Sequence, residues 1–157
     1  MKEILDSGID PNFTVIEPPG YPMRPLGEAV RNGHYEVVKL LVEHGANPSE
    51  GIAVAAGKND FVIAKYLLDS GADIDSDVPI YHAAARGYVE MVKFLLDHGA
   101  DPTRTIYSET PYDIARSHYH PESISSDPTM AEINTRYYQR YKDIMDLLEA
   151  HGGRNGE

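Results

Sequence analysis

Val42-Glu43-His44-Gly45-Ala46-Asn47 closes a unit that this chain writes four times. The other copies are Leu5-Asp6-Ser7-Gly8-Ile9-Asp10, Leu68-Asp69-Ser70-Gly71-Ala72-Asp73 and Leu96-Asp97-His98-Gly99-Ala100-Asp101. Their glycines, Gly8, Gly45, Gly71 and Gly99, recur at comparable intervals along the chain. A self-similar unit at such steps marks a stacked-repeat protein, which works by presenting a surface rather than by enclosing a reaction centre.

Working back from the last three glycines, a second landmark stands at one constant distance: Gly33-His34 before Gly45, Asn59-Asp60 before Gly71 and Gly87-Tyr88 before Gly99. Ahead of these, again at a constant distance, come Pro25, Gly51 and Pro79, so a fixed block repeats. Ala29, Ala55 and Ala83 are equivalent within it, as are Leu40-Leu41, Tyr66-Leu67 and Phe94-Leu95. Small residues on a first helix admit a bulkier second helix, and apolar residues at three- and four-residue steps mark the buried stripe. The unit is therefore a helix pair. The closing glycine supplies the left-handed residue that stops the second helix, with His44, His98 and His151 beside the negative end of its dipole.

Bulk composition narrows the function. The chain has 157 residues, enough for one compact domain or a short solenoid. It holds no cysteine, which excludes a disulfide framework and thiolate chemistry and fits a reducing compartment. A net charge of -11, from 25 Asp+Glu against 14 Lys+Arg, repels nucleic acid and anionic membrane and attracts basic partners. No stretch reaches the roughly 18 apolar residues of a membrane span, and the charged start Met1-Lys2-Glu3-Ile4-Leu5-Asp6 is unlike a signal peptide. A cytoplasmic protein is expected.

Pro25-Leu26 with Ala29, then Gly33-His34, Val37-Val38-Lys39-Leu40-Leu41 and Gly45-Ala46-Asn47, resembles the ankyrin repeat. The resemblance covers almost the whole chain. It implies a single all-α ankyrin-repeat domain over 1–157, a solenoid of stacked helix pairs with short hairpin fingers and an elongated C-terminal helix. A half repeat falls at 1–10, with repeats at about 24–48, 50–75, 78–102 and 110–152, the last carrying an insertion at about 120–140.

Departures from the family pattern individualise the chain. The connection from closing glycine to next block is longest from Gly8 to Pro25, shortest from Gly45 to Gly51 and from Gly71 to Pro79, and intermediate from Gly99 to Pro111. The short middle fingers, at Pro48-Ser49-Glu50 and Ile74-Asp75-Ser76-Asp77, are expected to leave a notch. Gly27, Ala53, Tyr81 and Asp113 stand where the family has its motif histidine, so the ties between neighbouring loops are expected to be weaker. In the last repeat the distance from Tyr119 to Gly152 is far longer than the constant one in the earlier blocks, which marks the insertion. Met130, Ile133, Tyr137, Tyr141, Ile144 and Leu148 follow at helical steps, predicting one helix over about 128–150 capped by Ser126 or Asp127. Its first half is expected either to fold back as a cap or to project as an arm. The charged residues Lys142, Asp143, Asp146 and Glu149 favour the cap.

No constellation points to chemistry. Asp73-Ile74-Asp75-Ser76-Asp77 opens like a calcium loop, but Val78 and Ala84 occupy the positions that need glycine and a bidentate acid. His118-Tyr119-His120 with Asp113 is an imaginable metal site, outweighed by ordinary loop histidines. Nucleophile–base pairs and phosphate cradles are missing from the sequence, so neither catalysis nor a cofactor is expected. Gly20, Gly51 and Gly57 read as block boundaries or helix ends where backbone freedom explains them. Lys2, Lys39, Lys65 and Lys93 read as a solvated helix face, with Glu36 and Glu90 pairing two of them.

The resemblance implies a protein-binding module using finger tips and the exposed end of each first helix. Carried onto this chain, those positions are Tyr21, Met23, Arg31, Asn32, Glu50, Lys58, Asp75, Asp77, His82, Arg86, Tyr107, Glu109, Ser117 and His118. Tyr21 and Tyr107, in the longer fingers, are the expected anchors. A monomer binding a protein partner, a basic one on charge grounds, is the leading expectation. An immunity protein or antitoxin that occludes a basic toxin or nuclease active site is the alternative.

Overall fold

A computed structural model describes Asp6, residues 8–17 and residues 21–153, and of 15–17 and 21–23 the backbone alone. Most of the expected half repeat at 1–10, Lys2 included, and the side chains of Tyr21 and Met23 therefore lie outside the described residues. The chain divides into two compact units, Met1–Asp77 and Val78–Glu157.

The first unit opens with a hairpin finger, in which β1 (Val15–Glu17) pairs antiparallel with β2 (Tyr21–Met23). Two helix pairs follow: α1 (Pro25–Arg31) with α2 (Tyr35–Glu43), and α3 (Ser49–Lys58) with α4 (Phe61–Asp69). Helix α1 also packs on α3. Proline at the first position of α1 costs no hydrogen bond, because that N–H has no partner in a helix. Helix α4 starts where the Asp60 carboxylate accepts the Ile63 N–H at 3.0 Å. Leu26, Val30, Val38, Leu41, Ile52, Ala55, Ile63, Ala64 and Leu67 make the core.

The second unit repeats the plan with α5 (Pro79–Ala85) and α6 (Val89–Asp97), then α7 (Pro111–Ser117) and a long α8 (Pro128–Ala150), with a single 3-10 turn at Pro121–Ser123. Thr110 caps α7 by a reciprocal pair of bonds: its hydroxyl oxygen accepts the Asp113 N–H, and its own N–H donates to the Asp113 carboxylate. The Thr110 N–H first, and then the Thr110 hydroxyl donating to the same carboxylate oxygen, hold the Asp113 carboxyl below its ordinary range. Of the two caps expected for α8, Asp127 serves, accepting the N–H groups of Thr129 and Met130 at 3.0 Å each.

Second helices end alike. Gly45, Gly71, Gly99 and Gly152 all have φ between +80° and +94°. The Nδ1–H of His44, His98 and His151 donates to the carbonyl four residues back, at 2.8, 2.7 and 2.8 Å, and the Ser70 hydroxyl does so in the remaining repeat. These side chains satisfy carbonyls that a helix end otherwise leaves bare.

The Nε2 of His44 also lies 2.9 Å from the Asp6 carboxylate. With a carbonyl on one ring nitrogen and a carboxylate on the other, the doubly protonated ring is favoured. Asp6 first, then the Leu40 carbonyl, raises the His44 pKa above its ordinary 6.5. A raised histidine pKa contributes stability below the unfolded value and loses it as pH rises through the folded value. In an NMR titration His44 is therefore expected to protonate above 6.5, and Asp6→Asn to lower its midpoint. An unchanged midpoint in that variant would disprove the contact.

Several expectations are corrected. Gly51 is no block boundary: it lies inside α3, buried, where a Cβ would stand 2.9 Å from Leu67 Cδ1 and 3.0 Å from Val30 Cγ2. Close packing, not backbone freedom, requires glycine there. Glu50 is in the first turn of α3 rather than in a finger. Lys39 pairs with Glu43, four residues onward, rather than with Glu36 three residues back, and Lys65 pairs with Asp69 at the same four-residue step. Loop ties persist without the motif histidine, because Asn12 donates to the Gly45 carbonyl and accepts the Asn47 N–H, while the Ser49 hydroxyl oxygen accepts the Asp73 N–H.

The first half of α8 is left largely open among the described residues: Met130, Ile133 and Tyr137 are 49%, 55% and 41% exposed. Length explains this. At 1.5 Å per residue the 23 residues of α8 span roughly 35 Å, and the 7 residues of α7 about 10 Å. The buried part of α8 is Tyr141, Ile144, Met145 and Leu148.

Candidate functional site

In the first unit a groove of about 540 Å³ lies between the base of the finger, α1, α3 and the loop at 76–77. Its lining includes Thr14, Arg24, Gly27, Glu28, Arg31, Asn47, Glu50, Val54, Ser76 and Asp77. Gly27, Glu28 and Arg31 stand at three- and four-residue spacings that α1 turns to one side, and Arg24 is the extended residue just before its first turn. Four of the charges pair within the wall: Arg24 with Glu50, and Arg31 with Glu28.

Arg31, Glu50 and Asp77 are thus the expected site residues that the structure brings together. Asn32 caps the end of α1, where its side-chain amide donates to the Glu28 carbonyl at 2.8 Å. Lys58 is exposed in the last turn of α3, and Asp75 lies half-buried in the loop before Asp77. Sequence reasoning missed Arg24, Gly27, Glu28, Asn47 and Val54 in this wall. The helical spacing of 27, 28 and 31 was the signal that could have found the α1 members.

In the second unit the feature that projects is a finger closed by an antiparallel bridge between Ile106 and Glu109. Its two-residue tip, Tyr107-Ser108, has φ of 51° and 69°. Paired left-handed residues define the hairpin turn that normally takes Asn-Gly, and a bulky residue there carries backbone strain. Tyr107 is 96% exposed, so no packing within the unit explains its presence. Ser108→Gly removes a left-handed penalty of about 1–2 kcal/mol, which exceeds the extra unfolded-state entropy of glycine, and is accordingly expected to stabilise the unit in urea unfolding. A loss of stability would show that the tip is not left-handed.

Glu109, at the root of this finger, accepts a hydrogen bond from the Tyr81 hydroxyl at 3.0 Å. Burial, then that carboxylate, raises the Tyr81 pKa. His82 meets the Tyr81 ring edge-on at 5.9 Å, and Arg86 donates to the His82 carbonyl at 3.4 Å. His118 stacks on Tyr141 with ring centroids 4.9 Å apart, and Ser117 donates to the Ile114 carbonyl. His120 bonds the Ser117 carbonyl and Glu122 instead. Among the described residues no three histidine, aspartate or glutamate side chains converge as a metal site, and no helix is long and apolar enough to cross a membrane.

Helix pairs closed by left-handed glycines, with hairpin pairing at residues 15–23 and at the Ile106–Glu109 bridge, match a known repeat. The family model for ankyrin repeats, described as three copies, matches residues 26–106 and again 51–124, more than half of the chain. The chain belongs to the ankyrin-repeat family. It is 36% identical over 104 residues to ankyrin repeat and SOCS box protein 11 of Danio rerio, covering 57% of this chain and 35% of that protein. An ankyrin repeat protein of Acanthamoeba polyphaga mimivirus is 32% identical over 108 residues, covering 64% of this chain and 32% of the relative. Another from fowlpox virus is 37% identical over 87 residues, covering 48% and 20%. The chain thus spans about a third or less of these relatives' lengths. Ankyrin repeats are protein–protein interaction units and are in general non-enzymatic.

Proposed function

We propose that this ankyrin-repeat chain binds its protein partner through two patches, the groove of the first unit and the Tyr107 finger of the second. The observation that carries this reading is Tyr107. A bulky aromatic residue held at positive φ carries a backbone cost that no burial within the fold offsets, and a contact made only in the complex is the return. Tyr21, Met23, Asn32, Lys58, Asp75, His82, Arg86, Glu109 and His118 are proposed to border the two patches. Preformed surfaces of this kind avoid part of the ordering cost of association.

The net charge of -11 supports a basic partner and a monomeric module kept soluble by self-repulsion. A narrower reading, occlusion of a basic toxin or nuclease in the manner of an immunity protein or antitoxin, rests on that same charge. The experiment uses a partner captured on the wild-type protein and then purified. Replacing Tyr21 and Tyr107 together with alanine is expected to weaken its binding more than tenfold while leaving the thermal midpoint nearly unchanged. Association should slow steeply as salt rises. Undiminished affinity in the double variant would overturn the patches, and salt-independent association would overturn the basic partner.

A further inference from the structure

Gly27 is the third residue of the short helix α1, and its φ lies outside the left-handed range. A Cβ there would meet nothing closer than the Glu50 carbonyl oxygen at 4.0 Å. Neither backbone geometry nor packing therefore calls for glycine, which weakens a helix relative to alanine. The equivalent positions in the other repeats carry side chains, Ala53, Tyr81 and Asp113. What glycine provides here is room, since Gly27 lines the groove beside Val54.

The charges of the groove say what the room is for. Arg24 and Arg31 are neutralised by Glu50 and Glu28. Asp77 also lines the groove and forms no ion pair among the described residues, and its backbone is held at φ 53°. One uncompensated carboxylate remains, with the hydroxyl of Ser76 and the amide of Asn47 as neutral groups in the same wall. Resting on the proposed function above, we infer that the groove receives one arginine or lysine side chain of the partner. Its aliphatic stem lies over Gly27 and Val54, and its cationic head reaches Asp77. Long cationic side chains bury their stems on apolar surface while the head finds a carboxylate.

The test titrates the isotope-labelled protein with N-acetyl-arginine amide, and with N-acetyl-norleucine amide as an uncharged control that keeps the aliphatic stem. The arginine probe is expected to shift the amide resonances of Gly27, Ser76 and Asp77 saturably, with a dissociation constant on the order of millimolar. The norleucine probe is expected to leave them in place. Asp77→Asn should weaken the arginine probe about tenfold, as loss of a charged hydrogen bond does. Gly27→Phe, which fills the groove, should abolish its binding, and Gly27→Ala should raise the thermal midpoint while weakening it. If Gly27→Phe fails to fold, the isosteric Asp77→Asn variant carries the decision.

Equal shifts with both probes, shifts confined to other residues, or unchanged affinity in Asp77→Asn would overturn the inference. Its failure is separable from failure of the broader reading. Should the partner still bind Asp77→Asn and Gly27→Phe at full affinity yet be lost in the tyrosine double variant, the module stands and the cation pocket falls. Should the arginine probe bind as described while the tyrosine double variant keeps full affinity for the partner, the pocket stands and the finger contacts fall.

Discussion

Leu67→Ala is expected to lower the unfolding free energy of the first unit by about 2–5 kcal/mol, the range for emptying a fully buried leucine site. Leu67 is 0% exposed, and its Cδ1 occupies the space that a Cβ on Gly51 would need. That adjacency makes the prediction more specific than burial alone. Gly51→Ala in the wild-type background crowds Leu67 and Val30, and overpacking of this kind costs about 1–3 kcal/mol. In the Leu67→Ala background the same methyl enters the vacated space. The two substitutions should therefore be markedly less than additive in urea unfolding. Additive costs would show that residues 51 and 67 do not touch.

The second large effect is expected at Tyr141, where substitution by alanine should cost about 3–5 kcal/mol in the second unit. The buried ring lies 3.3 Å from where a Cβ on Gly87 would be, stacks on His118 and meets Tyr137 edge-on at 5.2 Å. Its hydroxyl donates to the Ala85 carbonyl at 3.4 Å. Burial, then the Tyr137 hydroxyl, pushes its pKa well above the ordinary tyrosine value. Because the bond to Ala85 is long, Tyr141→Phe should keep most of the stability that Tyr141→Ala loses. Nearer the start of α8 the same stripe behaves differently. Replacing Met130 and Ile133 with glutamine should change stability by no more than about 0.5 kcal/mol, as surface substitutions do. Thermal melts of the three variants separate these outcomes, and a large loss on changing Met130 and Ile133 would restore the cap.

Tyr141 and Met130 also mark where reading the sequence succeeds and where it stops. Periodicity identifies both as members of one apolar stripe, and α8 does run from Pro128 to Ala150. Periodicity cannot tell how far the surface facing that stripe extends, which depends on the much shorter α7. The glycine landmarks are legible because a left-handed helix end is a local requirement. Asn59, with φ 58°, takes the place of Gly33 and Gly87 for the same reason.

Gly51 and Gly27 look alike in the sequence and differ in cause. One admits Leu67 and Val30, and the other opens onto a groove, a distinction made by residues distant along the chain. The loop ties through Asn12 and Ser49 were invisible for the same reason. Arg31, Glu50 and Asp77 are grouped on one surface by the repeat resemblance, and all three do line the groove of the first unit. The pairing that leaves Asp77 uncompensated was not legible, because Arg24 and Glu50 belong to different repeats. The exposure of Tyr107 was readable from its place in a long finger, whereas its left-handed backbone was not, since Tyr-Ser lacks the Asn-Gly signature of that turn.

Amide chemical-shift mapping of the labelled protein with its purified partner tests the central claim most directly. The account predicts perturbations at Gly27, Arg31, Glu50 and Asp77 in the first unit and at Tyr107 and Ser108 in the second. Perturbations confined to the exposed faces of the second helices, at Val62, Lys65 and Lys93, would contradict it.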